Sequence, residues 1–512
     1  MRPMKKTLYV CWFALSCLIW SCGTTKGSFD PDQKYSPAQL QRDYGLFRHI
    51  LEDLHPSLYW YQPKDSMNYY FDQGYAQLND SMTEPAFRTL LSYIIAKVDC
   101  GHTSVRSSRA YSRFLDTNRL AMFPLVIKFW KDTAVIAANL NRRDSVLRRG
   151  VILQSIDGKP ISRIKDSLFQ YIVTDGYNQT GKYQYLSTGL NFGFWYRNIF
   201  SRYGPYRIGY LDGSGYLREA ILPLYDPRSD STRRLPDHPF VAGPKGQGGG
   251  VHHPHKKDRP LSERLQSRNM VLDSATNTAF MTLNTFEGGY GLGRFFRKSF
   301  RELHQKHIAN LVIDVRSNGG GDASNSTLLT RFLIDKKFKI ADSLYTLRRH
   351  SKYDRYIKKS FIYGILMDLV THKEQDGYYH FGYFERHYFR PRHNNHFDGP
   401  VYILTGGNSF SATSLFAGAL KGQKNIKLVG EETGGGYYGN TAWMIPDVVL
   451  PETGIQFRLP RFHLVVDKTR LKNGLGVLPD EPALPSVEAI RQGVDFKTAR
   501  AKELIRLQAA NK

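Results

Sequence analysis

The chain has 512 residues, of which 41% are hydrophobic and 13% aromatic, enough for about two to four domains that each bury a core. Lys and Arg number 71 against 46 Asp and Glu, a formal net charge of +25. Beyond the N-terminus no apolar run approaches the ~18 residues that a membrane-spanning helix needs, which excludes a multi-span membrane protein. The charge admits an anionic partner, but the basic residues are scattered, with concentrations at 228–268 and 348–359.

Arg2, Lys5 and Lys6 precede an apolar run from Leu8 to Trp20, which ends at Ser21-Cys22. This is the pattern of a secretory signal, and Leu18-Ile19-Trp20-Ser21-Cys22 resembles a bacterial lipobox with Cys22 as the lipidated residue. The expected location is the bacterial cell envelope, lipid-anchored and facing the periplasm. Nucleic acid is therefore not an expected partner, and a basic shell facing anionic headgroups is. Of four cysteines, Cys11 and Cys17 lie in the signal and Cys22 carries the lipid, so Cys100 alone remains and no disulfide framework is expected.

Ser36-Pro37 ahead of Leu40, Tyr44, Phe47 and Ile50-Leu51 predicts a capped amphipathic helix. Pro85 to Val98 predicts another, broken by Gly101 in Asp99-Cys100-Gly101-His102-Thr103. Strands are predicted at Pro124–Ile127 and Ala134–Ala137, then in Val151–Ile156 and onward across the Asp157-Gly158 turn. Residues 226–269 are poor in apolar residues and rich in Gly, Pro and basic residues, the composition of a linker. Their His252, His253 and His255 have no companion ligands at metal spacing, so no metal site is expected. From Met270 onward strands alternate with helices. Leu311–Val315, Val401–Leu404 and Ile426–Val429 are nearly continuous apolar runs, as a sheet buried on both faces requires.

Two glycine turns follow such strands. In Thr405-Gly406-Gly407-Asn408-Ser409-Phe410-Ser411-Ala412-Thr413-Ser414 a strand gives way to a helix start, where free N–H groups favour a developing oxyanion. Four hydroxyls stand there, and chemistry alone does not choose among Ser409, Ser411, Thr413 and Ser414. In Asp314-Val315-Arg316-Ser317-Asn318-Gly319-Gly320-Gly321 the glycines permit close backbone approach, and no Lys-Ser/Thr ending marks a phosphate loop.

"DVRSNGGG" and "NSFSATSLFAGAL", in that order, resemble the C-terminal processing (tail-specific) serine peptidases, which include tricorn-type core proteases. "VDCGHTSVR", "GEETGGG" and "GLGVLPD" resemble further landmarks of that family, and the likeness runs over roughly 87–485. "ILQSIDGKPI" resembles the strand-turn-strand of PDZ domains, which bind peptide termini. The resemblance implies an α/β fold: a crotonase/ClpP-like protease core with an N-terminal helical region and an inserted PDZ-like β domain. The implied divisions are a lipoprotein signal peptide at 1–21, a tether at 22–35, a helical region at 36–115 and a PDZ-like domain at 120–225. A disordered basic linker at 226–269, the peptidase core at 270–490 and a C-terminal helix or tail at 491–512 complete them.

Carried over by position, the nucleophile is Ser411, and the oxyanion donors are the N–H of Ala412 and one from Gly319 or Gly320. The lysine of a Ser–Lys dyad falls on Gly436, so the implied base is His102, as in the tricorn-like branch. That branch's serine and glutamate fall on Gly101 and Asn473. The third member is left among Glu431, Glu432 and Asp99. The implied activity is serine endopeptidase action on protein or peptide substrates, with no cofactor. The incomplete set also allows a catalytically weak or inactive relative that binds peptides or small ligands. Cys100 beside His102 lacks an oxyanion motif of its own and is not the expected nucleophile.

Overall fold

A computed structural model describes residues 29–118, 120–229 and 259–510. The signal, Cys22 and the histidines at 252, 253 and 255 lie outside the described residues, as does most of the expected linker. Residues 261–269, assigned to that linker from composition, instead form the helix Leu261–Ser267 and the start of the strand Arg268–Asp273.

The central sheet has six strands in chain order: Arg268–Asp273, Thr278–Leu283, Asn310–Asp314, Val401–Thr405, Ile426–Gly430 and Glu481–Pro482. The first pair is antiparallel and every later pair is parallel. Parallel neighbours need crossovers: the helices Leu292–Gln305, Ala323–Thr330 and Ala412–Leu420 lie in the first three, and strands between Gly439 and Val465 lie in the fourth. Alternation along one strand shows why these runs are apolar throughout. Leu311 and Ile313 enter the cluster beneath those helices, while Val312 points to the other face with Tyr402, Leu404 and Val429. That second face is closed by Ala501, Leu504 and Ile505 of the C-terminal helix Phe496–Ala510.

Residues 125–222 form a separate antiparallel sheet, Leu125–Trp130, Thr133–Asn139, Ile152–Ile156, Tyr206–Leu211 and Leu217–Leu222, packed on the helices Ile161–Phe169 and Asn191–Phe200. Asp157 and Gly158 both take positive φ (51° and 78°), as a two-residue hairpin turn demands. The N-terminal helices Pro37–Leu54 and Glu84–Ala96 are joined by a third, Lys64–Tyr75, inside the expected helical region 36–115 but not bounded from sequence. Together they bury Phe47, Phe71, Phe87 and Ile94 against Val448, Ile455 and Phe457 of the core. Phe47 meets Phe457 edge-on at 5.2 Å. Full burial of one such ring contributes roughly 1.5–3 kcal/mol. The short strand Val105–Arg106 pairs with Gln456–Arg458, so the segment carrying His102 is sewn into the core.

Candidate active site

The strand Val401–Thr405 ends in a turn whose hydroxyls have different fates. Ser409 Oγ donates to Val315 O (2.9 Å) and accepts from Gly406 N–H (3.2 Å). Ser414 Oγ donates to Ser409 O (3.1 Å), and Thr413 is fully buried. Phe410 N–H donates to Asn318 O (3.1 Å), which clamps the two glycine turns together. Ser411 is left at φ 57°, ψ −123°, with no capping hydrogen bond from its side chain. A serine there for helix capping takes extended φ/ψ and accepts an N–H, and Ser411 does neither. A positive φ on a non-glycine residue costs about 1–3 kcal/mol and persists where its surroundings enforce it. The result is a sharp elbow that turns Ser411 toward a cavity of about 970 Å³.

Gly320 (φ 97°) backs the elbow. A Cβ there would stand 2.7 Å from both Ser411 Cβ and Phe410 O. Its own N–H is engaged with Asn318 Oδ1 (2.9 Å), so of the two alternatives Gly319 keeps an N–H with no acceptor among the described residues. The Ala412 N–H has no acceptor among the described residues and opens the helix next to Ser411.

His102 is buried, and its ring lies 4.5 Å from that of Phe410, tilted by 35°. Neither ring nitrogen has a hydrogen-bond partner among the described residues, Ser411 included. Burial, with the Arg458 guanidinium second, pushes its pKa down to about 3, so the ring is a neutral acceptor at ordinary pH. The adjoining Thr103 is fixed to His55 Nε2 (2.8 Å), part of a buried polar chain that continues through Ser57 to His463.

The carboxylate nearest the imidazole is Asp175, with Oδ1 3.9 Å from His102 Nδ1. It accepts the N–H of Gly101 (2.8 Å) and of Gly436 (3.3 Å), and burial nevertheless pushes it up to about 7. Sequence reasoning missed it, because an Asp-Gly step 73 positions downstream reads only as a turn. The three carboxylates named from sequence are committed elsewhere. Burial would raise Glu431, but Lys128 and Lys497 outweigh it and hold the carboxyl at about 2, with Lys497 Nζ 2.6 Å away. Glu432 receives Thr180 (2.8 Å), Asn178 (3.1 Å) and the Gly476 N–H (2.7 Å). Asp99 receives Gln62 (3.1 Å). Asn473 accepts the N–H of Leu475 two residues on (3.0 Å).

Two absences expected from sequence have steric causes. A Cβ on Gly436 would lie 2.3 Å from Gly439 O, so no lysine fits there without moving the backbone. A Cβ on Gly101 would lie 2.6 Å from the Phe410 ring. Burial pushes the Cys100 thiol up to about 12, which makes it a poor nucleophile. Cys100, His102 and Asp175 offer donor atoms within 4.8 Å of one another. Both Asp175 oxygens already receive N–H donors and the thiol holds its proton, so the set suits proton handling better than a metal cage.

The family description Peptidase family S41 matches residues 277–483, a span that holds both glycine turns and Ser411 but neither His102 nor Asp175. No curated protein matches the chain. Among solved structures, mature CPAF is 14% identical over 92% of this chain and 97% of its own, with a TM-score of 0.59. Mature CPAF complexed with lactacystin is 15% identical over 92% and 98%, with a TM-score of 0.60. A CPAF mutant is 13% identical over 89% and 94%, with a TM-score of 0.61. At such identities these structures speak for the fold. Residues 277–483 are a domain of peptidase family S41, and the chain that carries it is a serine-type peptidase.

Proposed function

We propose that this chain is an exported, lipid-anchored serine endopeptidase of the tail-specific type, acting through an acyl-enzyme on Ser411. The observation that carries the reading is the elbow: Ser411 at φ 57°, ψ −123°, with its hydroxyl uncommitted at a cavity of about 970 Å³. His102 Nε2 takes the Ser411 proton as Oγ bonds to the scissile carbonyl carbon. The oxyanion is held by the N–H groups of Ala412 and Gly319. The C–N bond then breaks as the imidazolium returns the proton to the leaving amine. Water, deprotonated by His102, hydrolyses the acyl-enzyme. Asp175, on the Nδ1 side, orients the ring and offsets its transient charge.

The cavity walls include Leu328, Phe384, Trp443 and Met444, which favours an apolar side chain beside the scissile bond. The sheet of residues 125–222 is read as the PDZ-like unit that presents peptide ends. Export and lipidation at Cys22 rest on the N-terminal sequence alone, and a periplasm-facing anchor is the corresponding location.

A second reading, a weak or inactive relative that binds peptides or small ligands, draws support from the unpaired ring nitrogens of His102. A fluorophosphonate probe, or lactacystin as in the CPAF complex, separates the two. An adduct on Ser411 that is lost in Ser411→Ala, together with cleavage of a casein-like substrate, supports the peptidase. Intact substrate with saturable peptide binding supports the relative.

A further inference from the structure

The helix Ser360–Val370 (SFIYGILMDLV) is apolar on nearly every side. Gly364 and Met367 face inward, and Met367 with Tyr363 joins the cluster of Leu344, Phe462 and Leu464. The opposite side carries Phe361, Ile362, Ile365, Leu366 and Leu369, all exposed, Phe361 by 79% and Leu369 by 77%. A surface helix of a globular protein ordinarily turns polar residues outward. A contiguous exposed apolar face of this kind marks a contact surface.

The charges around the face select what it contacts. Lys352, Arg355 and Lys359 precede the helix and Lys373 follows it, and all four are exposed. None of them forms an ion pair among the described residues. The neighbouring carboxylates have their own partners: Asp368 pairs with Arg349 (3.6 Å) and meets His350 (2.9 Å), and Glu374 lies 4.0 Å from Arg386 and meets His372 (2.8 Å). A second copy packed face to face would set this cationic rim against itself. A bilayer with anionic headgroups takes both parts of the surface, the apolar side chains at the acyl boundary and the cations at the phosphates.

We propose that Ser360–Val370 is an interfacial helix that docks the folded protein onto an anionic lipid surface, independently of any lipid on Cys22. Its inner side packs on the cluster that includes Phe384, Trp443 and Met444, which also line the Ser411 cavity.

The test uses the full-length chain with Cys11, Cys17 and Cys22 changed to Ser and with Phe361→Cys carrying an environment-sensitive nitrobenzoxadiazole label. Cys100 is buried and does not compete for the label. Leu369→Cys is the second reporter, and Leu217→Cys, exposed on another sheet, is the control. Vesicles of phosphatidylcholine with phosphatidylglycerol are expected to raise emission at 361 and 369 several-fold and to leave 217 unchanged. Neutral phosphatidylcholine vesicles, or exchange of Lys352, Arg355 and Lys359 for Glu, should remove most of the rise. No rise at 361 and 369, an equal rise at 217, or an equal rise with neutral vesicles would each overturn the proposal. So would a rise that follows protein concentration without vesicles, which assigns the face to a second copy.

Discussion

Ser411 is available because its neighbours are not. Ser409 and Ser414 spend their hydroxyls on the turn itself, and the helix start that would normally draw a serine into capping finds Ser411 at positive φ. Ser411→Ala should therefore abolish adduct formation and lower kcat by about 10³-fold or more while leaving the melting temperature nearly unchanged. A variant that keeps most of its cleavage removes Ser411 as nucleophile. Asp175 and His102 are displaced by burial in opposite directions, to about 7 and about 3. For Asp175 the folded value lies above the ordinary 3.8, so its stabilisation is complete below that pH and is lost as pH rises through about 7. For His102 the folded value lies below 6.5, so stability falls as pH drops from 6.5 toward 3. The ionised Asp175 is the form that offsets an imidazolium, so kcat/KM is expected to rise with pH through about 7. Asp175→Asn should lower kcat and erase that limb, read from pH–rate profiles of both forms. An unchanged limb would assign it to another group.

At the scale of elements, the elbow is a clamp between two strand ends. The Ser409 hydroxyl ties the turn that carries Ser411 to Val315 at the end of the neighbouring strand. Ser409→Ala takes the acceptor from the buried Gly406 N–H, while Val315 O keeps the Asn318 N–H (3.1 Å), and is expected to cost about 1–3 kcal/mol. It should also slow probe labelling of Ser411, whereas a purely structural effect would lower the melting temperature alone. Gly320→Ala sets a Cβ 2.7 Å from Ser411 Cβ and is strained at φ 97°. That variant should lose labelling as completely as Ser411→Ala, with folding followed by circular dichroism. The helix Ser360–Val370 belongs to this scale too: its sequence is that of a buried helix, while its setting is a surface.

Across the whole molecule, the site is assembled from parts far apart in sequence. His102 arrives through the N-terminal helices packed on the 447–459 hairpin, Asp175 through the connection between the helices Ile161–Phe169 and Gln179–Leu186 within the 125–222 region, and Ser411 through the core sheet. The C-terminal helix locks the far face, where Lys497 reaches Glu431 (2.6 Å) and Thr405 O (2.8 Å) beneath the turn that carries Ser411. Lys497→Met removes the ion-pair partner of the buried Glu431 carboxylate and leaves it only the Lys128 and Arg316 charges, and removing one member of such a pair costs about 3–5 kcal/mol. Thermal unfolding should show that loss most clearly near neutral pH, where Glu431 is ionised, and activity should fall with it. A melting temperature within a degree or two of the parent's would show the pair to be dispensable.

The amino-acid sequence determined the strands and helices of the core, because runs such as Leu311–Val315 carry their burial on both faces in their composition. The two glycine turns were equally legible, since backbone at positive φ and close approach leave few residue choices. The same signals singled out Ser411 and His102 through family motifs. The helix Lys64–Tyr75 lay within the region read as helical without bounds of its own, and the strand from Arg268 was hidden by the polar composition around it. Asp175 was not legible at all. Its role depends on which N–H groups and which ring the fold brings to it, and no local pattern encodes a meeting of residues 101, 175 and 436. Tertiary structure alone likewise decided that Glu431 and Glu432 are spent on lysine and backbone partners, and that the apolar helix Ser360–Val370 keeps one face uncovered. Pairing and exposure are properties of neighbours in space, whereas strand burial and turn geometry are properties of neighbours along the chain.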